Sequence, residues 1–150
     1  MEWLTPIESK SEDETVRLAQ RFAAILKPGD VLCLQGDLGM GKSVFARGLI
    51  RALAGNNTLE VPSPTFTLVQ TYDTAAGELW HFDLYRLKHP EEVYELGWED
   101  ALSGAISIIE WPERLGPLMP PDRIDIHLTP TPDGGRLLQV DARGAKKGRT

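Results

Sequence analysis

The chain has a single cysteine, Cys33, in 150 residues. No intramolecular disulfide can form, and a small thiol inside an apolar run reads as a buried packing residue of a protein kept in a reducing, cytoplasmic setting. No apolar run approaches the roughly 20 residues that span a bilayer. The opening MEWLTPIESKSEDE is acidic, where a secretion signal needs a basic and then an apolar stretch, so a soluble, unprocessed protein without membrane contact is expected. Cysteine and histidine ligands at zinc spacing are missing, which argues against a zinc centre. Positive charge is also scarce, with 16 Lys plus Arg against 22 Asp plus Glu, a net charge of −6. Four cations (Arg143, Lys146, Lys147 and Arg149) sit in the last eight residues, leaving 12 cations against 22 acids, a net −10, in residues 1–142. Nonspecific nucleic-acid affinity comes mainly from cations that displace counterions, so no direct, stable grip on nucleic acid is expected.

What remains is ordinary globular composition, 41% hydrophobic and 25% charged, at a length that suits one domain. That domain is placed at 1–142, followed by a basic tail, 143–150, expected to lack structure. Ser11 and Glu14 read as a capping box that opens a helix running to Pro28-Gly29, with Val16, Ala19, Ala23 and Leu26 on its apolar face. Val31-Leu32-Cys33-Leu34 reads as a strand buried on both faces. A second helix spans 42–53 and stops at Gly55-Asn56-Asn57. Residues 66–73 and 78–86 read as a hairpin, Pro90 to Glu95 as a short helix stopped by Gly97, and 105–109 as a second buried strand. Residues 123–129 and 136–142 pair around the turn at Pro132-Asp133-Gly134-Gly135. The pattern predicts an α/β fold, a central parallel sheet with helices on its faces and antiparallel additions.

Between the first strand and the second helix stands Gly36-Asp37-Leu38-Gly39-Met40-Gly41-Lys42-Ser43, a match to G-x-x-x-x-G-K-[ST]. A loop that wraps a phosphate must turn its N–H groups inward, and Gly36, Gly39 and Gly41 permit that. The helix N-terminus adds its positive dipole end, Lys42 supplies an ammonium for the outer phosphates, and the Ser43 hydroxyl can ligate Mg²⁺. Such a site wants a carboxylate at a neighbouring strand end. Glu110, directly after AISII, fits that place best, and Asp83 in HFDLYR is the second candidate. Exposure at the strand end, or an Asp83–Arg86 pair, is the plain alternative. His81 reads as a hydrogen-bonding neighbour of the site. Ser63-Pro64-Thr65 reads either as a sensor of the terminal phosphate or as a plain turn into the hairpin, and Trp111 either as a site residue or as core edge. No Asn/Thr-Lys-x-Asp element for guanine follows the loop, so ATP is the expected nucleotide. A small-molecule kinase would need arginines gathered on a lid, yet Arg114, Arg123 and Arg136 are scattered. A nucleotide-binding module without turnover is the third class in view.

The segments GDLGMGKS followed by VFARG, SPTFTLVQTYD, HFDLYRL, PEEVYELG and IEWPE, in this order over roughly residues 11–130, resemble the bacterial TsaE (YjeE) ATPases of tRNA threonylcarbamoyladenosine (t6A) biosynthesis. The resemblance implies a P-loop NTPase-like three-layer fold and a slow Mg²⁺-dependent ATPase that is monomeric by itself and supports threonylcarbamoyl transfer to adenosine 37 of tRNA with TsaB and TsaD proteins. It implies that Gly39, Met40, Gly41, Lys42, Ser43 and Val44 hold phosphates. Ser43 and Glu110, with Asp83 as further candidate, would hold Mg²⁺, and Lys42, Asp83, Glu110 and Trp111 would serve hydrolysis or coupling. Thr65, Glu12 and Arg136 would border the nucleotide. Met40 and Ser43 stand where the family more often has Ala and Thr. An acidic body suits a helper that docks on protein.

Overall fold

In a computed structural model, which describes residues 2–150, seven strands form one mixed sheet. They are β1 (Ile7–Ser9), β2 (Val31–Gln35), β3 (Val69–Thr74), β4 (Gly77–Asp83), β5 (Ile106–Glu110), β6 (Arg123–Pro130) and β7 (Arg136–Arg143). Their order across the sheet is β1-β7-β6-β2-β5-β4-β3. The four central strands β6, β2, β5 and β4 run parallel, whereas β7, β1 and β3 are antiparallel additions at the two margins. Strand β2 is apolar on both faces because both faces are covered. Leu32 and Leu34 enter the core beneath helices α1 (Glu12–Ala23) and α2 (Lys42–Ala54), while Val31 and Cys33 enter a second core with Val93, Trp98 and Leu115. That second core is roofed by two 3₁₀ segments, Pro90–Leu96 and Pro112–Leu118, and the short helix α3 (Trp98–Leu102).

Helix α1 starts as its sequence predicts, with the Ser11 hydroxyl accepting from the Glu14 N–H at 3.1 Å. The return half of the cap differs, because the Glu14 carboxylate takes the N–H of Lys10, one residue ahead of the cap itself. The regular helix ends at Ala23 and tightens through i→i−3 bonds at Ala24, Ile25 and Leu26 before Pro28. The hairpin is shorter than expected at both ends. Residues 64–68 close a turn in which the Leu68 N–H donates to the Pro64 carbonyl, with Leu68 at φ 69°, which no strand residue adopts. At the other end β4 stops at Asp83, and Leu84 through Leu87 turn away.

The tail expected to lack structure is instead fastened. Residues 144–146 form a 3₁₀ turn, and Arg149 donates both its Nη groups to Asp30, at 2.7 and 2.8 Å. Lys146 adds a third contact at 3.1 Å. Asp30 is fully buried just ahead of β2, so a carboxylate with no cation would be costly there. The positive tail of an acidic chain supplies the cations. Among the described residues, no helix is long and apolar enough to cross a membrane.

Candidate functional site

Three neighbouring strands end together at one edge of the sheet. In the parallel register Leu34 of β2 faces Glu110 of β5, which faces Asp83 of β4. The Gly36–Ser43 loop leaves β2 at this edge and delivers α2 over it. Gly36 is required by close approach, since a Cβ there would lie 2.6 Å from the Leu128 carbonyl oxygen. Gly39 and Gly41 take φ of 80° and 93°, the left-handed conformation that turns successive amides to one side.

Beneath the loop lies a cleft of about 400 Å³, lined among others by Gly39, Lys42, Ser43, Asp83, Glu110 and Trp111. Gly41, Val44, Thr65 and Glu12 also line it, so the sequence-predicted residues meet there with three exceptions, Gly36, Met40 and Arg136. Gly36 offers its carbonyl to the Lys42 ammonium and stays out of the cleft. Met40 is turned inward, its N–H donating to the Asp37 carbonyl and its side chain packed on the core. Arg136 reaches the loop from β7 and donates to the Gly39 carbonyl at 3.0 Å, beside a smaller hollow of about 130 Å³ that also touches Glu12 and Val44.

The charged groups are arranged unequally. Glu110 is 2% exposed, with Oε1 accepting from the Ser43 hydroxyl at 3.0 Å and Oε2 lying 2.7 Å from His81 Nε2. Asp83, 5% exposed, accepts from the Tyr85 N–H at 3.0 Å and from the Thr65 hydroxyl at 3.3 Å, and so does not pair with Arg86. Burial holds the Asp83 carboxyl above its ordinary pKa; the Tyr85 N–H opposes that, and the neighbouring Glu110 charge adds to it. Lys42 sits 3.3 Å from the centroid of the Trp111 ring. Burial pulls its pKa down, against the attraction of Glu113, Glu110 and Asp83. Trp111 holds that position from a left-handed backbone, φ 59° and ψ 51°, a conformation that costs about 1–3 kcal/mol for such a residue and collects at functional sites.

Two buried carboxylates side by side, each hydrogen-bonded by a hydroxyl, make a set of hard oxygen donors with unbalanced charge, which fits a small divalent cation such as Mg²⁺. Among the described residues no three His, Cys, Asp or Glu side chains form a self-sufficient metal cage. A cation held here would leave most of its coordination to ligand oxygens and water, the usual habit of Mg²⁺.

Sequence reasoning missed the cleft's outer wall. Tyr85 packs at a tilt against Trp111 with ring centroids 4.9 Å apart, Arg86 lies over the Phe66 ring at 4.4 Å, and Leu38 stands exposed at the mouth. Tyr85 and Arg86 follow Asp83 directly, and the end of the strand at Asp83 was the signal that would have sent them to the rim.

Residues 9–138 match the family model described as threonylcarbamoyl adenosine biosynthesis protein TsaE. The tRNA threonylcarbamoyladenosine biosynthesis protein TsaE of Rickettsia bellii (strain RML369-C) is 48% identical over 130 residues, covering 87% of this chain and 90% of that protein. The protein of that name from Bacillus subtilis (strain 168) is 35% identical over 133 residues, covering 88% and 82%. The crystal structure of Bacillus subtilis YdiB superimposes with a TM-score of 0.75 at 28% identity, over 93% of this chain and 86% of that one. With its glycine loop, its paired strand-end carboxylates and its matched segment extending from β1 into β7, the chain belongs to the TsaE family.

Proposed function

We propose that this protein is a Mg²⁺-dependent ATPase with a P-loop NTPase-like fold, acting in t6A biosynthesis by docking on a TsaB–TsaD complex. Its relatives bear that pathway in their names. The observation that carries the reading is the contact of the loop's Ser43 with Glu110 at 3.0 Å, which joins the glycine loop to a buried strand-end acid.

In this reading the amides of Gly39, Gly41, Lys42, Ser43 and Val44, at the positive end of the 13-residue helix α2, receive the phosphates. Lys42 exchanges the Trp111 ring for phosphate oxygen, a stronger partner for an ammonium than an aromatic face. Ser43 and Glu110 would hold Mg²⁺, with Asp83 beside them, and the ion when bound would neutralise charge on the phosphate oxygens. Glu12 and Arg136 border the nucleotide. Asp83, raised in pKa and hydrogen-bonded to Thr65, links the site to the 64–68 turn. ATP would draw the Ser63 and Thr65 hydroxyls inward and order that turn, whose Phe66 is 80% exposed, into a partner-binding state that hydrolysis resets.

The test is phosphate release by the purified chain alone and with purified TsaB and TsaD, together with t6A formation with and without the chain. Release that is slow alone and stimulated by the partners, with t6A formation dependent on the chain, is expected. Binding without turnover under both conditions would overturn the ATPase assignment, and partner affinity equal with ATP, ADP and no nucleotide would overturn the switch.

A further inference from the structure

The carboxylate of Glu110 is held from two sides, by Ser43 of the loop and, on the side away from it, by His81. His81 is on β4 two residues before Asp83, on the same sheet face, paired in register with Ile108 while Asp83 is paired with Glu110. Its ring therefore lies one step deeper in the sheet than the two acids. It is 2% exposed, and its Nε2 meets Glu110 Oε2 at 2.7 Å. A carboxylate oxygen accepts, so Nε2 carries the hydrogen of this bond. Nδ1 has no hydrogen-bond partner among the described residues, so the bond to Glu110 is the ring's one polar anchor there.

The consequence is geometric. The terminal torsion of a glutamate is broad and roughly two-fold, so an unheld Glu110 would rotate its oxygens among several directions. With Oε2 fixed to a buried ring on β4, a strand paired on both sides, Oε1 is left facing Ser43 and the cleft. We infer that His81 is a positioning residue for the reaction, orienting the Glu110 carboxylate so that one oxygen is presented beside Ser43 to a divalent cation. This inference rests on the Mg²⁺ reading above and extends it to a residue that does not itself touch the ion or the nucleotide. Partners that orient ligating carboxylates typically carry about 10–100-fold in metal affinity or activity.

The experiment titrates Mg²⁺ into the full-length protein at fixed ATP and reads the Mg²⁺ concentration at half-maximal ATP binding by calorimetry. Wild type is compared with His81→Leu, His81→Gln and His81→Asn. His81→Leu is expected to raise the half-point about 10-fold or more, to leave ATP binding in EDTA unchanged, and to lower kcat more than it raises KM for ATP. His81→Gln, whose amide restores a donor of similar reach, is expected to recover most of the half-point, and His81→Asn, too short to reach, is not. In a Glu110→Gln background His81→Leu should add no further shift, because the two act as one unit. A His81→Leu protein with a wild-type half-point, or an additive effect on top of Glu110→Gln, would overturn the inference. Should the Leu variant fail to fold, the Gln and Asn pair decides: equal half-points overturn it, and a half-point higher in Asn supports it. Wild-type binding that ignores Mg²⁺ would overturn the parent proposal, a result visible before any variant is made.

Discussion

The sheet buries carboxylates at both of its ends and treats them in opposite ways. At the end away from the cleft, Asp30 meets Arg149, Lys146 and the Lys27 N–H, and Asp125 of β6 meets Arg123 at 2.9 Å and Arg143 at 3.2 Å. Burial by itself would raise the Asp30 pKa, but the Arg149, Lys27 and Lys146 bonds outweigh it and hold the carboxyl below its usual value. At the cleft end Asp83 and Glu110 are nearly as deeply buried, yet their partners are hydroxyls, an N–H and a histidine ring, while Lys42 lies over the Trp111 ring. The first end is complete as folded. The second is short of positive charge, and the shortfall faces a glycine loop. Paired buried acids serve the fold; incompletely paired ones at a cleft mark a candidate functional site.

Substitutions at the cleft end should change function most. Glu110→Gln is expected to lower Mg²⁺-dependent phosphate release about 100-fold or more, because several kcal/mol of charge stabilisation goes with the ion, while circular dichroism stays that of wild type. Normal release would pass the metal role to Asp83 alone. Substitutions at the paired end should change stability instead. Arg149→Ala leaves Asp30 buried with less compensation and is expected to cost about 3 kcal/mol in urea unfolding, the low end for breaking such a pair because Lys146 remains. The loss should be full at neutral pH and fade in acid, since a lowered carboxyl pKa gives stability that is present above the unfolded value and disappears as pH falls through the folded one. Unchanged stability would show that the tail is ornamental.

Lys42→Ala is expected to weaken ATP binding about 10–100-fold, the worth of one charge-assisted bond, with little change in stability because its present partners are a ring face and one carbonyl. The smallest effect has the opposite sign. Asp83→Asn should stabilise the nucleotide-free protein at neutral pH, because an acid whose pKa is raised on folding penalises the ionised folded state. That advantage should vanish as pH falls from above the folded pKa to below 3.8, the ordinary value. An Asn variant less stable than wild type at pH 7 would remove the contrast between the two ends.

The central elements were legible because their patterns are strong. A continuous apolar run gave β2 with both faces covered, the glycine motif gave the loop, and AISII followed by an acid placed Glu110 correctly at its edge. Three things were not legible. Strand β1 is three residues long at a margin, too short to show a period. The 64–68 turn hides in a β-rich stretch because Thr65, Phe66 and Thr67 are strand-forming residue types, and only the backbone, closed by the Leu68 N–H on the Pro64 carbonyl, shows the turn. The tail looks disordered by composition, and its order comes from a buried Asp30 some 120 positions earlier, a pairing that local reading does not reach. The His81–Glu110 bond likewise depends on register, since a one-residue slip between β4 and β5 would put the ring on the opposite face.

The central claim is that the incompletely paired acids and the glycine loop together bind a nucleotide with its cation. Calorimetric titration of ATP into the folded protein, once with Mg²⁺ and once with EDTA, tests it most directly. The account predicts saturable one-site heat with Mg²⁺ and markedly weaker binding with EDTA; no heat under either condition, or equal affinity in both, would contradict it.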